Sequence, residues 1–410
     1  MTGPRVLVVG DVVNDIMVET RMPLTHGEDN PAVITTRPGG SAANQAAWMA
    51  RVGLDVVFAG RAGAGDAAFH RQELARFGVE PLLAADESVA TGTIVVLTGG
   101  EGERTMVTDR GANLRLRPAD VPAALLDDAA LLHLTGYSFF APGTREVALG
   151  LLAEAGRRGV PFTIDPGSAA FLRELAPGTF LGWTRGAAVC FPNRDEAAVL
   201  AGGASPAAMA SALARHYGVV VLKLGQDGAL VAVADAPPAK VLPQAATVRD
   251  TTGAGDAFCA GFLAVWLTGG DPVAAARSAA RAAAMAVSLL GGRPGTADLA
   301  WPGKHCVSTI PSSLLCRNTR LAQLAIDTCV LPTDGVGAGI LTGQGANGDE
   351  ASHEVPRGNH HAARGRASGM LVWRRQQQQH GREHDIPDAA ARRHADLPGQ
   401  RAADAVGPGA

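Results

Sequence analysis

The sequence predicts an α/β protein in which a central, mainly parallel β-sheet is flanked by helices on both faces. Short apolar runs with the composition of buried strands recur between residues 5 and 224. Alanine-rich stretches of helical length separate these runs. Strands that alternate with helices indicate βαβ units, which place parallel strands side by side and cover both faces of the sheet with helices.

Each predicted strand is a short apolar run that ends at a turn. The first is Arg5–Val9, which is followed by Gly10 and Asp11 and reads as a buried parallel strand. The other runs are residues 56–59, 131–134, 162–164, 188–191 and 219–224. The predicted helices between the strands include residues 41–52, 144–158 and 206–216.

Two stretches, residues 15–37 and 91–113, contain alternating strand-like pieces that no crossover helix follows. In the second stretch, residues 92–97 and 104–108 flank the glycine-rich run 99–102, which is a hairpin signal. These pieces either extend the main sheet as edge strands or form a sheet of their own. We expect a small separate β-sheet, because parallel strands of the main sheet need crossover connections.

The last βα unit begins with a turn rich in Thr and Gly, residues 251–255, and continues in a buried helix over residues 256–267. Asp271 and Pro272 then supply an N-cap and a first-turn proline for one more helix. That helix is expected to end at the Gly-Gly pair, residues 291–292.

The character of the chain changes near residue 303. Residues 303–410 contain 7 of the 11 His, 3 of the 5 Cys and a run of Gln at 376–379. They show no apolar periodicity, and such a composition buries too little apolar surface to offset the entropy of ordering. We expect a tail that is disordered or that results from translation in a shifted frame.

Composition narrows the class of protein and its partners. The chain has 410 residues, enough for one large or two ordinary domains. Its formal net charge of −3 includes no block of like charge, so we expect neither nucleic acid nor a membrane as a partner. The first apolar run is too short for a signal peptide, and five scattered Cys form no disulfide framework. A cytoplasmic enzyme is the expectation.

Residues 250–256, Asp-Thr-Thr-Gly-Ala-Gly-Asp, open the helix of the last βα unit. The N–H groups of Gly253, Ala254 and Gly255 would face outward at the positive end of the helix dipole, a geometry that binds phosphate. Asp256 then lies beside the anion, where a carboxylate suits the role of a general base. An ordinary capping acid behind a glycine turn is the alternative, and this string alone does not decide between them.

Three other candidate residues are interpreted as structural. Residues 63–66 repeat the letters Gly-Ala-Gly-Asp, but they lack the preceding Asp-Thr-Thr and enter a charged helix. We therefore interpret Asp66 as a helix cap. His133 and Cys190 fall within predicted strands and are expected to be core residues.

Two longer patterns resemble the signatures of a known family. Residues 250–263 match, at every defined position, the C-terminal signature of the ribokinase-like (PfkB) carbohydrate kinases. Residues 39–46 match the N-terminal signature of the same family. The resemblance covers about residues 4–302. It implies that residues 1–302 form one ribokinase-like kinase domain, with the small β-sheet as its lid.

The resemblance also implies an activity, the ATP-dependent transfer of a γ-phosphate to a hydroxyl of a small carbohydrate. Asp256 resembles the family's catalytic base, and residues 253–255 resemble the anion hole for the migrating phosphoryl group. The residues that resemble the sugar-binding positions are Asp15, Gly39, Gly40 and Asn44. A carboxylate and an amide are suited to hold vicinal hydroxyls, and adjacent glycines permit close approach of the backbone.

Nucleotide and cation positions follow from the same resemblance. The residues that resemble the ATP site are Asn193, Lys223, Gly225, Gly228, Gly253 and Gly255. In the family's Asn-x-x-Glu pattern, Glu196 would help to place Mg²⁺, largely through water. Asp250 and Thr252 resemble a monovalent-cation site whose other ligands are mostly carbonyl groups near residues 286–291, which makes K⁺ a candidate activator.

Several alternatives stay open at the level of sequence. The substrate is ribose or another simple sugar, a 2-keto-3-deoxy sugar acid, or a nucleoside. Arg104 and Arg110 in the lid either favour a carboxylate-bearing sugar or face solvent. A non-catalytic sugar-binding sensor of the same fold is the rival from another class, against which an intact Asp256 argues. A homodimer that forms through the lid is a further candidate.

Overall fold

The structure of the protein is a computed structural model that describes residues 3–20, 24–98, 104–203 and 205–295. The predictions for the tail, residues 303–410, lie outside the described residues. Of the helices within these ranges, none combines the length and the apolar character that crossing a bilayer requires.

The strands and helices of the described residues alternate along most of the chain. The strands are β1 (Arg5–Val9), β2 (Val13–Thr20), β3 (Ala32–Gly39), β4 (Asp55–Gly63), β5 (Val79–Asp86), β6 (Thr91–Thr98), β7 (Arg104–Gly111), β8 (Leu131–Thr135), β9 (Phe162–Asp165), β10 (Val189–Cys190), β11 (Val219–Lys223), β12 (Ala229–Ala232) and β13 (Ala239–Val241). The helices are α1 (Ser41–Arg51), α2 (Ala67–Ala75), α3 (Pro142–Arg158), α4 (Ala169–Leu175), α5 (Pro177–Trp183), α6 (Arg194–Ala201), α7 (Pro206–Leu213), α8 (Ala254–Trp266) and α9 (Pro272–Val287).

The central sheet is mainly parallel, as the sequence predicts. Its strand order is β13-β12-β11-β10-β9-β8-β1-β4-β5. From β11 to β5, all neighbours pair in parallel, whereas β12 and β13 are added antiparallel at one edge. Because parallel neighbours point the same way, the carboxyl ends of these strands share one edge of the sheet.

The two faces of the central sheet are covered by separate hydrophobic clusters. On β1, Val6 and Val8 belong to one cluster, and Leu7 and Val9 belong to the other, as the two-residue period of a strand requires. The first cluster contains the apolar sides of α1, α8 and α9, and the second contains those of α3, α6 and α7. A strand that is apolar on both faces is typical of such a doubly covered parallel sheet.

The small separate sheet predicted from the two stretches without crossovers is present. Its order is β3-β2-β6-β7, with β2 and β6 parallel and the two outer pairs antiparallel. The strands β6 and β7 pair as the hairpin signal predicts, although the turn residues 99–103 are not among the described ones. This sheet is called the lid below.

Sequence analysis misses three strands, which lie at or next to the edges of the central sheet. The edge strand β5 contains Glu80 and Pro81, which interrupt its apolar run. At the opposite edge, β13 is only three residues long, and β12, which is paired on both sides, has four residues. The edge strands β5 and β13 need no continuous apolar run, because one side of each is unpaired, so the pattern for buried strands does not find them.

Helix α9 ends at Val287, before the predicted end at the Gly-Gly pair. The segment that follows turns back towards the start of α8. Gly291 N–H donates to Asp250 Oδ2 at 2.8 Å, and Asp250 N–H donates to the Val287 carbonyl oxygen at 3.2 Å. These bonds join the end of α9 to the turn before α8, and they replace the expected last turn of the helix.

Removal of the Phe262 ring tests the core that supports α8. Phe262 is fully buried, and its ring centroid lies 5.3 Å from that of Phe191. Because Phe262→Ala leaves a cavity, it should lower the free energy of unfolding by about 3–5 kcal/mol, measured by urea denaturation. Leu242 is 71% exposed, so Leu242→Ala should change it by about 0.5 kcal/mol or less. Equal losses in the two variants would contradict the assigned core.

Candidate active site

The candidate site lies where the carboxyl ends of parallel strands meet the N-termini of two helices. Asp11 follows β1, Asp165 ends β9 and Lys223 ends β11. Helix α1 begins after Gly40, and α8 begins after Gly253. In open α/β sheets, ligands bind in the crevice outside the carboxyl ends of the strands.

The first turn of α8 offers N–H groups to an anion. Gly253 has a φ of 74°, and a Cβ atom on it would lie 2.3 Å from the Gly292 carbonyl oxygen, so this position requires glycine. Among the described residues, no group accepts a hydrogen bond from the N–H of Gly253 or Gly255. Ala254 N–H donates a long bond of 3.4 Å to the Thr251 carbonyl oxygen. Open N–H groups at a helix N-terminus suit a phosphate.

Asp256 is half-buried in the same turn, and side chains of α1 hold its carboxylate. Its Oδ1 accepts from Ser41 Oγ at 2.9 Å and from Gln45 Nε2 at 3.0 Å, and its Oδ2 accepts from Asn44 Nδ2 at 3.3 Å. Burial raises the pKa of Asp256 to about 6, with the charge of Asp165 adding to the rise and the bonds from Gln45 and Ser41 opposing it. A carboxyl group with this pKa is suited to accept a proton near neutral pH.

Asp11 positions the start of α1. Its Oδ2 accepts from Ser41 N–H at 2.9 Å, and its Oδ1 accepts from Ala42 N–H at 3.3 Å. Gly40 has a φ of 96°, and a Cβ atom on it would lie 2.6 Å from the Asp11 carbonyl oxygen. The acid after β1 therefore satisfies the first N–H groups of α1, a role that the sequence did not reveal.

Asp15 approaches the site from the lid strand β2. A Cβ atom on Gly39 would lie 2.1 Å from Asp15 Oδ2, so the carboxylate lies directly on this glycine. Burial raises the pKa of Asp15 to about 7; Asp11 and Asp256 add to the rise, and Arg293 opposes it. Arg293 links this part of the lid to α1, because it donates to the Gly39 carbonyl oxygen at 3.3 Å and to Asn44 Oδ1 at 3.4 Å.

Lys223 and Asp165 form a buried ion pair beside the first turn of α8. Lys223 Nζ lies 3.1 and 3.0 Å from the two carboxylate oxygens of Asp165. A Cβ atom on Gly255 would lie 3.5 Å from the same Nζ. Burial by itself would lower the pKa of Lys223, but the charges of Asp165 and Glu196 and the hydrogen bond to Asp165 together outweigh burial and raise it. The ammonium group therefore stays charged next to the open N–H groups.

The predicted Asn-x-x-Glu pattern forms a capping box at the start of α6. Glu196 N–H donates to Asn193 Oδ1 at 2.9 Å, while Asn193 N–H and Nδ2 donate to the Glu196 carboxylate at 2.8 and 2.7 Å. Glu196 is only 2% exposed, and burial raises its pKa to about 7, with the nearby Lys223 opposing the rise. The box accounts for the structural role of both residues.

These residues also allow a magnesium ion. Among the described residues, no three His, Cys, Asp or Glu side chains are grouped to hold a metal. Mg²⁺ keeps several waters and binds through one or two carboxylates plus substrate phosphates, so it needs no such group. When Glu196 is ionised, Asp165 and Glu196 together carry one more negative charge than Lys223 offsets, which fits a water-mediated cation there.

Asp250 and Thr252 stiffen the turn before α8. Asp250 Oδ1 accepts from Thr252 N–H at 2.9 Å and from Thr252 Oγ1 at 2.7 Å, and Asp250 Oδ2 accepts from Gly291 N–H at 2.8 Å. Asp250 is 9% exposed. Oxygen ligands of this kind, a carboxylate with neighbouring backbone carbonyls, suit a hard monovalent cation.

The turn after β11 contains the remaining glycines of the predicted nucleotide site. Gly228 has a φ of 87°, and a Cβ atom on it would lie 2.1 Å from the Val241 carbonyl oxygen, so β13 can pack there only against glycine. Gly225 has a φ of 60° and faces open space. The turn thus lies next to Lys223 and leaves a gap at Gly225.

Asp66, the acid of the repeated string, does not belong to this group of residues. It lies at the N-cap of α2, but its side chain makes no capping bond. Its carboxylate instead accepts from Asn14 Nδ2 at 2.6 Å and from the Thr91 hydroxyl. These contacts agree with the predicted structural role of Asp66. The prediction that its side chain caps the helix was wrong, because the carboxylate instead joins two lid strands to α2.

Several residues of the site were missed by sequence reasoning. They act on Asp256 or on its neighbours and are Ser41, Gln45, Asp165 and Arg293. The sequence offers one signal that Asp165 belongs to the site. This residue directly follows the predicted strand 162–164 and so falls at the carboxyl edge of the sheet. Gln45 lies within the N-terminal signature, but a helix position alone does not tell whether an amide faces the site.

Comparisons with known proteins show the family to which the chain belongs. Residues 4–298 match the model of the "pfkB family carbohydrate kinase". An "ATP-dependent ribose-1-phosphate kinase" of Halopiger xanaduensis is 31% identical over 65% of this chain and 86% of that protein. A ribokinase of Arabidopsis thaliana is 30% identical over 72% of this chain and 79% of that protein.

Solved structures support the fold that the resemblance implies. The structure of Arabidopsis thaliana ribokinase complexed with ribose and ATP is 26% identical, has a TM-score of 0.58, and covers 72% of this chain and 97% of its own. A probable sugar kinase from Rhizobium etli has a TM-score of 0.64 at 25% identity, over 72% and 96% of the two chains. The ribokinase-like fold is confirmed, and this chain belongs to the pfkB family of carbohydrate kinases.

Proposed function

We propose that Asp256 is the general base of this ATP-dependent sugar kinase and that the first turn of α8 is its anion hole. The observation that supports this proposal is that three features meet at the first turn of α8. The Asp256 carboxylate, the open N–H groups of Gly253 and Gly255, and the charged Lys223 Nζ all lie at the start of α8. A base, an anion site and a fixed positive charge are what phosphoryl transfer to a hydroxyl needs.

The acceptor hydroxyl would lie between the lid and the start of α1. Asp15 and Asn44 supply a carboxylate and an amide there, and Gly39 and Gly40 let the Asp15 carboxylate and the Asp11 carbonyl oxygen pack closely against the start of α1. In the reaction, Asp256 takes the hydroxyl proton while the sugar oxygen forms a bond to the γ-phosphorus. The bond between that phosphorus and the β–γ bridging oxygen breaks, and ADP leaves with the electron pair.

The nucleotide phosphates would lie along the start of α8 and the turn after β11. Residues 253–255 bind the γ-phosphate oxygens, Lys223 neutralises part of their charge, and Gly225 and Gly228 shape the adjacent turn. Asn193 and Glu196 hold the waters that place the metal. Mg²⁺, when bound, neutralises charge on the phosphates and thereby assists departure of ADP. A sensor without turnover is not favoured, because the groups for proton acceptance and for anion binding are both in place.

The substrate proposed first is ribose or a related small sugar, as the name of the Arabidopsis thaliana ribokinase suggests. Arg110 supports a second candidate, a sugar that carries a carboxylate or a phosphate. Its side chain is half-buried, donates to the Tyr137 carbonyl oxygen at 2.8 Å and lies 5.7 Å from the Tyr137 ring centroid. Arg110 therefore points inward from the lid, contrary to the solvent-facing alternative. A nucleoside has no comparable feature in its favour.

We further propose the domain limits, the assembly and the location of the enzyme. Residues 1–302 would form the kinase domain, since the family match ends at residue 298. Exposed apolar side chains on the outer lid strands, Val33, Ile34, Met106 and Val107, suit a homodimer that forms through the lid. The buried free thiols of Cys190 and Cys259 fit the reducing cytoplasm, where ATP is available.

Asp256→Asn tests the proposed base. The variant should fold and bind ATP but lose at least about a hundredfold in kcat, because a general base contributes roughly 10² to 10⁴. Coupled assays of ADP release measure turnover, and calorimetry measures ATP binding. Asp66→Asn is the matched control from the repeated string and should change stability more than turnover. Near-native kcat in Asp256→Asn would remove this residue from the mechanism.

A substrate panel with Arg110→Gln tests the second candidate. The panel compares ribose and fructose with ribose-1-phosphate and a 2-keto-3-deoxy sugar acid. If the substrate is anionic, Arg110→Gln should raise its KM by about tenfold or more, because a hydrogen bond to a charged group is lost. The KM of any neutral sugar should change little. An equal effect on both kinds of substrate would assign Arg110 to lid structure alone.

Potassium should raise turnover, because a cation at Asp250 would stiffen the turn that carries the anion hole. Initial rates in sodium-free buffer, titrated with KCl against tetramethylammonium chloride, measure the effect. Asp250→Ala should abolish the response to potassium and also lower the melting temperature. A native enzyme indifferent to potassium over the whole titration would leave Asp250 as a structural tie to Gly291.

A further inference from the structure

Two neighbouring amides on α1 hold opposite sides of the Asp256 carboxylate. Asn44 Nδ2 donates to Oδ2 at 3.3 Å, and Gln45 Nε2 donates to Oδ1 at 3.0 Å. An amide has a donor end and an acceptor end, and rotation by 180° exchanges them. Each amide stabilises the carboxylate only while its NH₂ end faces Asp256. The orientation of each amide therefore depends on the groups that face its oxygen.

Arg293 faces the acceptor end of Asn44. Arg293 Nε donates to Asn44 Oδ1 at 3.4 Å, and Nη2 donates to the Gly39 carbonyl oxygen at 3.3 Å. Arg293 is 8% exposed, so water contributes little to the orientation of the Asn44 amide. Because Arg has donors and no acceptor, the Asn44 oxygen must face Arg293. The NH₂ group is then left for Asp256.

His133 faces the acceptor end of Gln45. Gln45 Nε2 donates to Asp256 and also to Asp165 Oδ2, each at 3.0 Å. Its Oε1 forms a hydrogen bond with His133 Nε2, and His133 Nδ1 lies 2.7 Å from Thr163 Oγ1. Carboxylates only accept, so the Gln45 oxygen must accept from His133. His133 is therefore protonated on Nε2, and the Thr163 hydroxyl donates to Nδ1.

We propose that His133 and Arg293 are positioning residues for phosphoryl transfer, each of which fixes one amide of α1 so that both NH₂ groups face the Asp256 carboxylate. The inference rests on the proposed role of Asp256 as the base. Neither residue touches the reacting atoms; each acts through an amide. Burial lowers the pKa of His133 to about 4, so this His stays neutral, with a single N–H to donate, throughout the working range.

Loss of either donor has a predictable electrostatic effect. An amide oxygen that loses its donor is left buried without a partner, and the amide then turns away from Asp256 towards another donor; the charged form of Asp256 loses a hydrogen bond, which raises its pKa further. The charged groups that face Asp256 are Asp165 and Lys223 from the sheet and Asp15 from the lid. Arg293 also neutralises part of the charge on Asp15. Its loss should therefore weaken acceptor binding as well, which appears in KM rather than in kcat.

The test is the pH profile of kcat for the full-length enzyme. Turnover should fall as the pH drops through the pKa of Asp256, because the base must be deprotonated. In His133→Leu and Arg293→Met, this acid limb should move up by about one unit, so that kcat falls about tenfold at low pH and recovers above about pH 8.5. The variants His133→Gln and Arg293→Lys keep an N–H donor and should leave the limb near its native position.

Arg61→Met is the matched control for loss of a buried arginine. Arg61 is 7% exposed and paired with Asp86 and Asp120, neither of which belongs to α1 or to the group around Asp256. This variant should lower the melting temperature without moving the acid limb. If His133→Leu and Arg293→Met reduce kcat equally at every pH, their role is merely structural and the inference is wrong.

Two further results distinguish a failure of this inference from a failure of the proposed base. If Asp256→Asn retains native turnover, the proposed base fails, whatever the profiles show. If a variant turns over too slowly for kinetics, ¹³C NMR of carboxyl-labelled Asp gives the pKa of Asp256 directly, since its signal is absent from Asp256→Asn. An Asp256 pKa unchanged in both His133→Leu and Arg293→Met would overturn the inference even with the base confirmed.

Discussion

The structure depends on the burial of more acid than base at one edge of the sheet. Asp11, Asp165 and Glu196 are each less than a tenth exposed, and Asp15 and Asp256 are half-buried beside them. Buried carboxylates are tolerated only when donors surround them or when protonation neutralises them. Here the helix N-termini, two amides and Lys223 supply the donors, and the charge of Arg293 offsets part of that of Asp15. Glu196 and Asp256 therefore have raised pKa values while their carboxylates keep their hydrogen bonds, which is the state that proton acceptance requires.

The same constraint explains why helices begin where they do. The start of α1 is held by Asp11, the start of α6 by the box of Asn193 and Glu196, and the turn before α8 by Asp250. Each acid satisfies N–H groups that would otherwise be unpaired, and each helix start in turn stabilises a negative charge. Helix termini and acidic side chains are thus interdependent along this edge, and the site is part of the fold's own hydrogen bonding.

Sequence reasoning was accurate where function depends on neighbours along the chain. The glycine turn before Asp256 and the start of α1 after Gly40 were predicted, because tight turns and helix starts leave local signals. The role of His133 was not predicted, since it depends on β8 lying between β1 and β9 and on α1 packing above them. Arg293 follows a loop whose course depends on Asp250. Such contacts between distant segments leave no spacing that a single sequence can show.

The contacts of the loop after α9 affect the order in which the parts of the domain can fold. The Gly292 carbonyl oxygen accepts from Trp48 Nε1 at 3.0 Å across 244 residues of sequence. A Cβ atom on the same glycine would lie 2.4 Å from Asn44 Nδ2, so the loop is wedged against α1 as well as against Gly253. Contacts between the first and last segments of a domain close late, after nearly the whole domain has left the ribosome. A nascent chain that ends before this loop therefore contains α1 and the start of α8 without the loop that packs against both. The environment of Asn44 is then completed only when the last residues of the domain are available.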